Sequence, residues 1–214
     1  GATSINVAAA GACVNTSASV TTGAASAITQ TTATLAGTIT SIGCSAITAY
    51  GVEYSLVNGF PNGSGTAVPS TNLSGGNFSS NLIGLTPGIT YYYHAYATNG
   101  GGTAYGTQQS FTTIALTPVI TVTPLAAFGN VCINTTAGPN SFTINGTNLT
   151  AANITVGPLA GYTYSTTSGG TYTISLSLTQ PGGAYSQQIF VNFTPTLVQS
   201  YNGDIAVGGG GATA

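Results

Sequence analysis

Apolar side chains recur at every second position in short runs along this chain, and a period of two admits strands and little else. Residues 32–40 alternate Ala33, Leu35 and Ile39 with threonines, and residues 48–55 alternate Tyr50, Val52 and Tyr54 with Gly51 and Glu53. Successive side chains of a strand point to opposite faces, so each run can bury one face and wet the other. Clusters of Gly, Asn and Pro separate the runs, while the helix formers Lys, Arg and Met are absent. An all-β protein is predicted, and 214 residues suffice for two tandem β-sandwiches, each with a modest core.

The ionic inventory excludes several functions. The chain has no Lys or Arg, two acids (Glu53 and Asp204) and one histidine, His94. Binding to nucleic acid rests largely on cations that neutralise phosphates, and attraction to anionic lipid needs the same groups. No nucleic-acid partner is expected, and no direct membrane insertion, since no run approaches the roughly 18 consecutive apolar residues of a spanning helix. A hydrolytic site needs a nucleophile, a base and an orienting group, or two carboxylates flanking one bond. Glu53 and Asp204 fall in different halves of the chain, so the expectation is that the protein is not an enzyme. Calcium needs several carboxylates and zinc needs clustered Cys and His; neither set is present in the sequence, and no metal or cofactor is expected. With so few charges, stability should vary little with salt or between about pH 5 and 9.

The stretch Leu85-Thr86-Pro87-Gly88-Ile89-Thr90-Tyr91-Tyr92-Tyr93-His94-Ala95-Tyr96-Ala97-Thr98-Asn99 resembles the fibronectin type III signature, in which a Leu-x-Pro-Gly turn leads into strand F. The resemblance implies that Leu85 and Pro87 form the E–F turn, that Tyr91 is the tyrosine-corner residue, and that Tyr93, Ala95 and Ala97 point inward. The family's strand-B tryptophan is missing, and Leu35 stands in that region. Residues 91–106, followed by Ser110-Phe111-Thr112-Thr113, are similar in particular to fibronectin-like modules repeated in secreted proteins of the Bacteroidetes, with His94 where those modules usually carry Arg.

After a short linker at 114–118, residues 119–123, 141–145, 171–178, 188–193 and 204–207 alternate again. Val191-Asn192-Phe193-Thr194-Pro195-Thr196, followed by Tyr201-Asn202-Gly203-Asp204-Ile205, resembles the penultimate hairpin of immunoglobulin-like modules of the ASPM-SPD-2-Hydin type. That resemblance implies one further strand. Gly1-Ala2-Thr3-Ser4 nearly repeats Gly211-Ala212-Thr213-Ala214 and runs on into an alternating segment with Ile5, Val7 and Ala9 on one side. The expected organisation is therefore 1–11 as the last strand of a preceding immunoglobulin-like module, 12–114 as a fibronectin type III-like domain, and 118–214 as an immunoglobulin-like domain lacking its own last strand.

The three cysteines, Cys13, Cys44 and Cys132, show no CxxC spacing. In a fibronectin-like module the N-terminal strand begins near the B–C loop, which implies a disulfide between Cys13 and Cys44 and leaves Cys132 as a buried, small apolar residue. On strand F, Tyr92, His94 and Tyr96 should face outward, with Glu53 of the neighbouring strand on the same side. Two readings stay open there: a weak patch for a sugar or protein, or cross-strand packing with a Glu53 to His94 pair.

Together these features predict a structural repeat unit of a large extracellular surface protein or fibre, contacting neighbouring copies head to tail and displaying surfaces or binding glycans. Two alternatives belong to other classes. One is a self-polymerising, pilus-like subunit that uses Ile5, Val7 and Ala9 in donor-strand complementation. The other is a carbohydrate-binding accessory module of a secreted enzyme.

Overall fold

The computed structural model describes residues 14–213, and these form β-strands and connecting loops without a helix. They belong to two compact units that divide between Leu116 and Thr117. The expected strand at 1–11 lies outside the described residues.

Unit 1 is a β-sandwich. One sheet joins β1 (Ser19–Thr22), β2 (Ala33–Ser41) and β5 (Asn77–Leu82). The other joins β4 (Thr66–Pro69), β3 (Ala49–Ser55) and β6 (Thr90–Asn99), and the far edge of β6 is shared by β7 (Gly102–Tyr105) and β8 (Gln109–Thr112). This is the fibronectin type III-like arrangement, with three strands packed on a larger sheet. The alternation in the sequence is the alternation of burial: Ala33, Leu35 and Ile39 of β2 and Tyr91, Tyr93, Ala95 and Ala97 of β6 fill the interior. Aromatic rings pack together in this core. Tyr91 stacks on Phe111 at 5.6 Å between centroids, and Tyr93 meets the same ring edge-on at 5.9 Å. The Tyr93 hydroxyl, deep in the core, donates to Gly23 O at 2.8 Å, so its burial leaves no orphaned donor.

The E–F turn is fastened as the resemblance implied, with Thr86 N–H donating to the Tyr91 hydroxyl at 2.9 Å. At the other end of β6, buried Asn99 donates through Nδ2 to Thr16 O and Ile42 O and accepts from Gly101 N–H. One amide side chain thus ties three chain segments at the end where residue 14 enters the unit.

Unit 2 is an immunoglobulin-like sandwich. Its larger sheet runs β12 (Tyr162–Ser165), β14 (Gly183–Phe193), β10 (Ala137–Leu149), β9 (Val119–Val122). Its smaller sheet runs β13 (Leu176–Leu178), β11 (Ile154–Val156), β15 (Val207–Gly209). Phe142, Ile144, Ile189 and Val191 of the larger sheet share one core with Ile154, Val156 and Leu178 of the smaller. Tyr201 repeats the corner of unit 1, its hydroxyl accepting the N–H groups of Thr196 and Leu197 at 3.0 Å each.

Several expectations for unit 2 need correction. Of the run 171–178, residues 176–178 form a strand, and Thr173 makes an isolated bridge to Tyr164. The strand expected at 204–207 is Val207–Gly209, and just before it the Ala206 carbonyl accepts from Gly157 N–H at 2.9 Å. Cys132 is exposed rather than buried, because residues 123–136 cross the surface as a loop between β9 and β10.

Candidate functional site

Two places hold the residues singled out by the sequence. The first is on unit 1, where the register of β3 and β6 sets Glu53 opposite His94. His94 Nε2 lies 3.0 Å from Glu53 Oε2. Gly63 N–H donates to the same oxygen at 2.9 Å, and Gly65 N–H donates to Oε1. The two side chains lie on the outward face of their sheet, as period two requires, yet each residue is 3% exposed.

The cover is the loop at 56–65. It folds back over the sheet and lays Phe60 on the His94 ring at 4.6 Å, while Tyr105 of β7 closes the other side at 4.9 Å. Gln108, in the break between β7 and β8, pins that loop by accepting from Gly59 N–H at 3.0 Å and donating to Asn58 at 2.8 Å. Burial opposes the charge on Glu53. The hydrogen bond from His94, the two glycine amides and the attraction of the imidazole outweigh it and hold the carboxyl below its ordinary 4.5. The arrangement is an internal polar anchor: a carboxylate satisfied by three donors under two rings.

Tyr92 and Tyr96 are half-buried on either side of His94. Tyr96 joins Tyr105, which sequence reasoning missed, beside a shallow depression of about 220 Å³ that Tyr92 does not line. The four residues of the expected patch are therefore not brought to one open surface.

The second place is on unit 2, a groove of about 1160 Å³. One bank is the loop at 123–133, with Leu125 and Phe128; the other is residues 197–207, with Tyr201, Ile205 and Val207. Phe142, Tyr162 and Phe193 lie on the floor. The rings of Phe128, Tyr162, Phe193 and Tyr201 touch in succession, at 4.7 to 5.9 Å between centroids. Beside the groove, Leu197, Val198 and Ile133 are 61%, 92% and 47% exposed. Sequence reasoning found neither the loop bank nor the aromatic floor.

Cys13, Ile5, Val7 and Ala9 lie outside the described residues, and with them the expected pairing of Cys13 with Cys44. Cys44 is not a free thiol, and its sulfur accepts from the Thr16 hydroxyl at 3.6 Å. Cys132 is free and exposed at the edge of the groove.

The chain matches no protein-family model and no curated protein sequence. Among solved structures, it is similar to the sensor domain of the anti-sigma factor RsgI4 in Pseudobacteroides cellulosolvens, at 23% identity over 46% of this chain and 96% of that one, with a TM-score of 0.35. It is also similar to the chicken CNTN1 FN1-FN3 domains, at 16% identity over 87% of this chain and 64% of that one, with a TM-score of 0.32.

Proposed function

We infer that this chain is a structural segment of a large extracellular surface protein or fibre, of the kind its sequence resembles in the Bacteroidetes, and that it performs no reaction. The observation that carries this reading is how the chain threads unit 1. Asn15 Nδ2 donates to Gly100 O and Ser17 Oγ to Gly101 O, just past the Asn99 end of β6. The exit lies at the Thr90 end, where Thr113 N–H donates to Ile89 O and Ile114 N–H to Thr29 O. Chain enters and leaves at opposite ends of the strands, so tension between entry and exit pulls lengthwise on the terminal strands β1 and β8. It loads the hydrogen bonds of β1 to β2 and of β8 to β6 in shear. Asn99 at one end and the Tyr91 corner at the other clamp that path. A module built this way adds length and resists extension. A surface without Lys or Arg also offers trypsin-like proteases no cleavage site.

Antibody labelling of intact cells that produce the protein tests the location, and stretching single molecules tests the mechanics. The expected results are surface label and, with the Cys44 disulfide reduced, a discrete high-force event that releases about 30 nm of chain, the length of roughly 100 residues at about 3.3 to 3.6 Å each less the folded span. Label confined to permeabilised cells, or extension without a force peak, would sink the proposal.

A further inference from the structure

The two oxygens of the buried Glu53 carboxylate are not equally satisfied. Oε2 takes two donors, His94 Nε2 and Gly63 N–H, whereas Oε1 takes one, Gly65 N–H. A carboxylate accepts at about four lone-pair positions, so Oε1 has room for one more donor. Glu53 also lines the depression of about 220 Å³ on unit 1, with Tyr96, Tyr105, Thr98 and Thr103. Strand register assembles that hollow: Tyr96 of β6 pairs with Tyr105 of β7, and Thr98 with Thr103, while β3 carries Glu53 alongside.

The remaining polar groups around the hollow leave acceptors to spare. The hydroxyls of Thr98 and Thr103 bond to each other at 2.9 Å. Among the described residues, the hydroxyls of Tyr96 and Tyr105 have no hydrogen-bond partner in the protein. Both phenols nevertheless sense the carboxylate. Burial first, and then neighbouring charge, push them above the ordinary phenol value of 10.0; the neighbours are Tyr105 and Glu53 for Tyr96, and Glu53 for Tyr105.

This set of groups selects a ligand. The Glu53 carboxyl is held below its ordinary 4.5 and is ionised at neutral pH. His94 is the one histidine of a chain without Lys or Arg, and it is engaged on Oε2. What faces the hollow is therefore an anionic oxygen and two phenol oxygens, a set complementary to a positive charge with several donors on one atom. A primary ammonium carries three N–H donors at a single point. A guanidinium instead recognises a carboxylate by a fork to both oxygens, and here Oε2 is already taken by two donors. The volume is also below the roughly 300 to 1,000 Å³ of clefts that enclose whole small molecules, which suits a single side chain. The stem of a lysine packs well along aromatic surface, and the rings of Tyr96 and Tyr105 supply it.

We propose that the hollow formed by Glu53, Tyr96 and Tyr105 is a docking site for a lysine side chain of a partner protein, whose ammonium donates to Glu53 Oε1 and to the two tyrosine hydroxyl oxygens. This chain contains no lysine, so the partner is not a second copy of it. The site goes beyond the structural reading above, because it gives a module built for length a point of contact with an unlike protein.

The test titrates Nα-acetyl-lysine methylamide into the full chain and follows backbone amide shifts by NMR. Saturable shifts are expected at Gly63, Gly65, Thr98 and Thr103, with a dissociation constant on the order of a few millimolar and weaker binding as salt is raised. The Nε-acetylated probe, which has lost the charge and two donors, should give no saturable shift, and the arginine probe should bind at least about tenfold more weakly. Glu53→Gln should remove binding. Should that variant fail to fold, Tyr96→Phe with Tyr105→Phe decides the matter, since it keeps both rings, removes both acceptors and should weaken the lysine probe about tenfold. No saturable shift with the lysine probe, equal binding of the acetylated or arginine probe, or unchanged affinity in the double tyrosine variant each overturns the proposal.

Discussion

His94 Nε2 and Glu53 Oε2 meet at 3.0 Å beneath Phe60, on a sheet face that period two assigns to solvent. The pair concentrates the ionic chemistry of unit 1 at one buried point. The folded protein holds Glu53 more acidic than the unfolded chain does, so the stabilisation it contributes is present above the ordinary carboxyl value of 4.5 and drains as the pH falls through its folded value. Urea midpoints of the wild-type protein should hold above about pH 5 and decline below 4.5, with a shallower acid limb in Glu53→Gln. Glu53→Ala, which strands the imidazole and two amides, should cost roughly 3 kcal/mol at pH 7. Identical acid limbs for wild type and Glu53→Gln would contradict this account.

The tyrosine corners should matter to both sandwiches. Tyr91→Phe removes the acceptor of Thr86 N–H in a partly buried turn and is expected to destabilise unit 1 by about 1 kcal/mol. Tyr201→Phe frees the N–H groups of Thr196 and Leu197 and should act in the same direction on unit 2. Hydrogen exchange reads both directly: amide protection at 86 in the first variant and at 196 and 197 in the second should drop. Unchanged protection at those amides would count against the corners as fasteners.

Gly37 of β2 lies close under its strand partner Phe78 and faces Ala95 of the other sheet. A Cβ at this position would lie 2.3 Å from Phe78 Cζ and 2.8 Å from the Ala95 Cβ. Phe78 is itself 4% exposed and cannot swing away without opening the core. Gly37→Ala is expected to cost about 1 to 3 kcal/mol by overpacking. The larger Gly37→Val should abolish the cooperative transition of unit 1, and thermal melts of the two variants check the order.

Thiol labelling should separate the cysteines. In the folded, non-reduced protein a maleimide should modify one residue, Cys132, and peptide mapping should recover Cys13 joined to Cys44. A disulfide closing a loop of about 30 residues contributes on the order of 3 kcal/mol, so reduction should lower the melting temperature of unit 1 by several degrees. Recovery of Cys132 in a disulfide peptide with either of the others would refute the assignment.

Much of unit 1 was legible because its information is local. Leu85, Pro87 and Tyr91 lie within seven residues, so the corner is written in one stretch of chain, and the alternation of Ala33, Leu35 and Ile39 is itself the pattern of burial in β2. Strands β11 and β12 were missed because three or four residues hold too few alternations to stand out from a loop.

Period two determined that His94 and Glu53 share a face and that Tyr93 and Ala95 share the opposite one, because a strand has no other way to arrange successive side chains. Whether a face met solvent was decided by the tertiary structure. A loop fixed by Gln108, some fifty residues from the chain it holds, brought Phe60 over the pair. The same division holds in unit 2. The alternation of residues 188–193 determined that Ile189, Val191 and Phe193 share a face, whereas the aromatic row beside them was assembled from Phe128, Tyr162, Phe193 and Tyr201, drawn from four separated stretches of chain. Spacing along the chain encodes direction and face, but burial depends on what else arrives at the same place, and that is a property of long-range packing.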